Sequence, residues 1–222
     1  MIGRQRKLPA SLQRAFSRLP HGAGCFSRKG FSMKRSRSVL LLVAAVIAVL
    51  APLSLAAYNL KAPFASQPAL LTSIGQSADV EMAKAIINRL KISFTMDSLV
   101  KAQGLASSNA KTLIIVIGGS SKGLGAAGIS ADAELERTKA LLAEAKKRGM
   151  KIIGLHIGGE ARRGELSDRF INAALPSCDY FIVVEDGNND GLFTKLCGTK
   201  IPLDVVQKIS QVGEPLAAAF LK

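Results

Sequence analysis

The sequence predicts an α/β protein: a doubly wound, mostly parallel, Rossmann-like sheet of about five strands with helices on both faces, preceded by an N-terminal hydrophobic segment. Three observations predict it. From residue 69 onward, short apolar runs alternate with stretches of helical periodicity, and that alternation builds a parallel sheet covered on both sides. The run Thr112–Ile117 (TLIIVI) is apolar and β-branched almost throughout, as a strand buried on both faces must be. Four of the strands lead into loops rich in glycine and polar residues, the kind of loop that lines the ligand-binding edge of such sheets.

The N-terminus comes first. Of 222 residues, 30 are Lys or Arg and 16 Asp or Glu, but residues 1–38 hold ten of the basic groups and no acidic one. The other 184 residues are therefore close to neutral, which argues against a nucleic-acid surface, as does an aromatic content of 5%. Nineteen uncharged residues follow, Val39–Ala57, close to the length that spans a hydrocarbon core. Pro52 and Ser54 interrupt them and leave a thirteen-residue apolar core, Val39–Ala51, behind Lys34, Arg35 and Arg37. Ser54-Leu55-Ala56 then offers small residues for cleavage, so Met33 begins a complete export signal. On this reading residues 1–32 are an extension created by a start assigned too early. The alternative is an uncleaved anchor in the membrane with a cytoplasmic basic tail. Both place residues 58–222 outside the cytoplasm, secreted or periplasmic after cleavage near Ala56, otherwise single-pass and membrane-anchored. Cys25 precedes the apolar run and is no lipid-attachment cysteine.

A linker over residues 58–68, with Pro63 and Pro68, leads into a single domain over 69–222. Ala69–Thr72 reads as a strand, and Ser77 as the N-cap of a helix over Ala78–Leu90 whose Val80, Ala83, Ile87 and Leu90 share a face. Ile92–Thr95 is a second strand, followed by a weak helical stretch near Ser98–Leu105 and the strong strand Thr112–Ile117. Asp132–Arg148 is a clear helix, with Glu134 and Glu136 early, Lys146, Lys147 and Arg148 late, and Gly149 just beyond, all complementing the dipole and C-cap. Lys151–Ile157 and Asp179–Val184 are strands around a helix near Leu166–Ala174. Leu192–Cys197 and Asp204–Gln211 read as helical, and Gly213-Glu214-Pro215 opens a last short helix.

Ligands of open parallel sheets bind beyond the carboxyl ends of the strands. The candidate ligand-binding residues are accordingly Ser73, Gly75, Gln76 and Ser77 in the first loop, and Gly118, Gly119, Ser120, Ser121 and Lys122 in the second. His156, Gly158, Gly159, Glu160, Arg162 and Arg163 complete the set at the third. Backbone N–H groups with Lys122, Arg162 and Arg163 suit a small anion. A fourth loop, Asp186-Gly187-Asn188-Asn189-Asp190-Gly191, fits the first half of a calcium loop, making Asp186, Asn188 and Asp190 candidate metal ligands. The bidentate Glu of that pattern is missing, its place taken by Cys197, and an Asx-rich turn is the alternative.

Two further matches fail on context. Gly123-Leu124-Gly125-Ala126-Ala127-Gly128 fits a dinucleotide fingerprint, but the helical pattern begins late, near Asp132, and the next strand ends in Leu155-His156-Ile157 with no acidic residue at the expected spacing of about twenty positions for a ribose. Gly119-Ser120-Ser121-Lys122-Gly123 fits a nucleophile elbow, but it too lacks an immediate helix, and no strand-end carboxylate precedes His156. Cys178 and Cys197 bracket a strand–helix unit whose ends fold back together, so they are a disulfide candidate worth roughly 3 kcal/mol if formed.

Four blocks carry a resemblance: residues 71–80 (LTSIGQSADV), 120–128 (SSKGLGAAG), 156–164 (HIGGEARRG) and 186–194 (DGNNDGLFT). Together they resemble a bacterial exported family catalogued as domain of unknown function 6305, over about Pro68 to Phe220. The resemblance implies a signal peptide and one such domain, and it brings no activity. The function read from the residues is an exported domain binding a small anionic ligand at the carboxyl edge of the sheet. Two alternatives stand beside it: a hydrolase using Ser120 or Ser121, His156, Glu160 or Asp186, and a structural or protein-interaction module. The only cofactor suggested is calcium.

Overall fold

A computed structural model describes residues 59–220. The basic segment, the apolar run over residues 39–57 and Cys25 lie outside the described residues.

Six strands form one sheet, all parallel. They are β1 (Ala69–Ile74), β2 (Phe94–Met96), β3 (Thr112–Ile117), β4 (Lys151–His156), β5 (Tyr180–Val184) and β6 (Leu203–Val206), in the order β2-β1-β3-β4-β5-β6. Seven helices connect and follow them: α1 (Asp79–Arg89), α2 (Ala102–Ser107), α3 (Ser121–Ala126), α4 (Ala131–Lys147), α5 (Glu165–Ala174), α6 (Leu192–Cys197) and α7 (Gly213–Ala219). The α/β class and the parallel sheet are as the alternation of patterns predicts.

Period-two side-chain placement divides the core into two layers. Along β3, Leu113, Ile115 and Ile117 pack with α2–α6, whereas Ile114 and Val116 pack with α1 and α7. All five are fully buried. Removal from water contributes roughly 1.5–3 kcal/mol for each such side chain, so the central strand ties both layers together.

Two elements differ from expectation. The sixth strand occupies Leu203–Val206, within a stretch whose Leu203, Val206 and Ile209 mimic helical spacing. Pro202 ahead of it and the β-branched pair Val205-Val206 favour extended backbone, and pairing with β5 decides the outcome. Its Asp204 is buried, accepting from the Tyr180 hydroxyl and, at 2.9 Å, from the backbone N–H of Asn59. The second difference is α3, which begins directly after the β3 loop. Ser120 caps it, its Oγ accepting the N–H of Gly123 at 3.0 Å. Three residues of weak propensity (Gly123, Gly125 and Ser121) hid that helix from a periodicity search.

The disulfide expected between Cys178 and Cys197 is not formed: both are free, buried thiols. The helix α6 does run back towards Cys178, as the topology requires, but both side chains are absorbed into the core. Cys178 lies against Gly154, where an added Cβ would come within 2.8 Å of its sulfur.

Candidate functional site

The strand order reverses at β1. The β1 connection runs through α1 on one face and the β3 connection through α3 and α4 on the other, which leaves a crevice between their carboxyl ends. The two loops at this switch point are laced together. The N–H of Ser120 donates to the carbonyl of Gly75 at 2.8 Å, and that of Gly118 to Ile74 at 2.9 Å. Gly75 has φ +91°, and a Cβ there would lie 2.6 Å from the Gly118 oxygen, so both the turn and the close approach need glycine. A Cβ on Gly123 would lie 1.9 Å from the Gln76 oxygen. The glycines of this region serve loop-on-loop packing.

Behind the crevice sits an ion pair that periodicity alone did not reveal. Glu134, fully buried in the first turn of α4, receives the Arg137 guanidinium through Nε at 2.7 Å and Nη2 at 2.8 Å. The same carboxylate accepts the N–H of Gly75 at 2.9 Å and the Gln76 side-chain amide at 3.0 Å. Arg137 also donates to the carbonyls of Ser73 and Val100. The pair therefore fixes the β1 loop from beneath. Its two members are spaced i, i+3, a spacing that surface pairs share, so only burial distinguishes them.

A second buried acid lies in front. Asp79 opens α1 and is 2% exposed. Its Oδ1 is 3.2 Å from Arg162 Nε, while its Oδ2 is buried and without a hydrogen-bond partner. A Cβ on Gly158 would come within 2.5 Å of that oxygen and one on Gly118 within 3.3 Å, so these glycines make room for the carboxylate. Arg162 ends a 3-10 turn over Glu160–Arg162 that follows Gly159 at φ +62°. Held at Nε, it keeps Nη1 and Nη2 free of partners among the described residues. It borders a cavity of about 550 Å³ lined also by Gln76, Ser77, Ser98, Ser120 and Lys122.

The expected residues thus divide. Gln76, Ser77, Ser120, Lys122 and Arg162 share the cavity, whereas Gly75, Gly118, Gly119 and Gly158 lie outside its lining, in close contact with neighbouring loops and side chains. Ser121 and Glu160 are exposed beside it, and Ser73 is buried in β1 with its hydroxyl unpartnered. Arg163 turns away. Its guanidinium is held by Asp168 at 2.8 Å and Asp190 at 2.8 Å, donates to the Gly187 carbonyl, and lies over the Phe193 ring at 5.5 Å. Its hydrogen bonds to Asp190 and Asp168 raise its pKa further, and Arg163 in turn lowers that of Asp190. The pair is a latch between loops.

The fourth loop is arranged as a turn. Asn188 accepts the N–H of Phe193 at 3.0 Å and donates to Thr194, Asp190 is taken by Arg163 and the N–H of Leu192, and Asp186 lies against Gly159. No group of three or more His, Cys, Asp or Glu among the described residues is placed to hold a metal ion. His156 is fully buried, with Nδ1 2.9 Å from the Ile117 carbonyl oxygen, Nε2 3.4 Å from that of Gly159, and its ring against Phe193. Burial pushes its pKa below the ordinary value. Asp79, Glu134 and Arg137 are the site residues missed in the sequence. Each reads there as an unremarkable helix charge.

No curated protein matches the chain. The sequence profile of the family described as Domain of unknown function (DUF6305) matches residues 66–220, which takes in the whole sheet and every loop of the crevice. On that match, the chain belongs to the DUF6305 family.

Proposed function

We propose that this domain is an exported binding module. It holds a small ligand with an anionic group in the crevice between β1 and β3. The observation that carries the reading is Arg162: a guanidinium held at Nε by a buried carboxylate, on the border of a cavity of about 550 Å³, with no partner among the described residues at its remaining donors. A fixed fork of this kind suits bidentate recognition of carboxylate or phosphate. Lys122 adds a second positive charge, and Gln76, Ser77 and Ser120 supply neutral polar groups. A cavity of that size fits a compact molecule.

A hydrolase reading gains less support. The Ser120 hydroxyl is occupied as a helix cap, both nitrogens of His156 face backbone carbonyls, and no serine is hydrogen-bonded to that ring among the described residues. Calorimetric titration with a panel of phosphates and carboxylates tests the binding reading. Arg162→Ala should weaken whichever anion binds by at least ten-fold, while Ser121→Ala should leave affinity unchanged. Equal affinity of wild type and Arg162→Ala would refute the role given to Arg162.

A further inference from the structure

The two edges of the sheet differ in charge. The segments forming the amino edge (the entering linker, strand starts, their preceding residues and the ends of α1 and α4) carry nine basic residues and three acidic ones. One of those acids, Asp204, is buried, and the exposed Asp179 has its carboxylate taken by the N–H of Ile152 at 2.8 Å. The third, Glu144, faces Lys147 at 3.8 Å. The basic groups are exposed.

Part of this pattern has a local cause. Arg89 and the run Lys146, Lys147 and Arg148 end helices, where positive charge complements the dipole. Lys61, Lys111, Lys151 and Lys200 have no such cause. They stand in loops or at strand starts, and none has a carboxylate partner among the described residues. Lys61, Lys151 and Lys200 together border an open depression of about 890 Å³, and Lys111 is beside Lys151, whose N–H donates to the Lys111 carbonyl. The chain also enters the domain here: Asn59 bonds to Asp204 and Leu203 at the start of β6, two positions after the apolar run over residues 39–57 ends in the sequence.

We propose that the amino edge is a docking surface for an anionic lipid bilayer. A broad, exposed, basic edge matches a negatively charged leaflet. Entry of the chain at that edge, just past a run long enough to reach into hydrocarbon, selects a bilayer over other polyanions. The crevice at the opposite, carboxyl edge then faces away from the lipid, open to solutes.

Both core layers are closed by residues between Ala65 and Phe220, so the segment 57–222 carries its own complete fold and is tested without the apolar run. In flotation assays it should rise with vesicles of phosphatidylglycerol and phosphatidylcholine, stay behind with pure phosphatidylcholine, and detach in about 0.5 M salt, where screening is strong. Each basic residue near such a surface strengthens binding about five-fold, so Lys61, Lys111, Lys151 and Lys200 all changed to Gln should weaken it by several hundred-fold. A variant with Lys84, Lys101, Lys139 and Lys208 changed to Gln carries the same net charge and should still float, with circular dichroism confirming that both variants are folded. Flotation lost equally in both variants, flotation on neutral vesicles, or retention by heparin with no binding to anionic vesicles would overturn the proposal.

Discussion

Replacing Glu134 by Ala removes the group that organises the switch point. Its carboxylate satisfies the N–H of Gly75, the amide of Gln76 and two nitrogens of Arg137, and the site is fully buried. Loss of one partner from a buried ion pair leaves the other charge unpaired, a cost of about 3–5 kcal/mol. For a domain of this size each kcal/mol shifts the melting temperature by about 2–4 °C, so Glu134→Ala should lower it by roughly 6–20 °C. Urea unfolding followed by circular dichroism measures the free energy directly, with an unchanged m-value if the transition remains two-state. Changing both members, Glu134→Leu with Arg137→Met, should cost less than Glu134→Ala alone, because no charge is then stranded. A loss below about 1 kcal/mol for Glu134→Ala would refute the idea that this pair holds the β1 loop.

Glycine substitutions in α3 should split in sign. Gly123→Ala meets the Gln76 oxygen and should destabilise by about 2 kcal/mol or more, while Gly125→Ala enters open space in a helix and should stabilise by about 0.5–1 kcal/mol. Arg163→Ala should destabilise by about 2 kcal/mol, whereas Asp190→Asn should cost under 1 kcal/mol because that carboxylate is largely solvated. The lowered pKa of Asp190 also sets the pH window. The contribution is complete above the ordinary aspartate value of about 4 and fades only as pH falls well below it, which a melting series from pH 7 to pH 2 checks. Burial raises the thiol pKa of Cys178 and holds that of Cys197 at about 11, so iodoacetamide at pH 8 should modify both only after denaturation. Rapid labelling of the folded protein would contradict the placement of these residues.

Much of the fold was legible because burial on two faces leaves a simple mark. Thr112–Ile117 is recovered without error, and the helix expected over residues 132–148 agrees with α4 within one residue. The sixth strand was not legible. It is a four-residue edge strand, and Leu203, Val206 and Ile209 satisfy a helical template equally well until pairing with β5 decides between them. For the crevice, the glycine-rich loops lie at the carboxyl ends of the strands, where the sequence places them. The residues that govern it are charged groups at helix starts, Asp79 and Glu134, and sequence offers no way to tell a buried acid there from a solvated one. The division of Arg162 from Arg163 was equally invisible. Adjacent in sequence, they fall on either side of the end of the 3-10 turn: Arg162, its last residue, borders the cavity, and Arg163, extended just after it, meets Asp168 and Asp190.

Native mass spectrometry of residues 57–222, taken from an exported preparation and then soaked with phosphates, carboxylates and calcium, tests the central claim most directly. The account predicts a stoichiometric added mass from one anion, absent in Arg162→Ala and kept in Asp190→Asn. A bare mass under every condition would contradict it and leave the crevice loops as turns. An adduct of calcium alone that Asp190→Asn abolishes would move the site to the fourth loop.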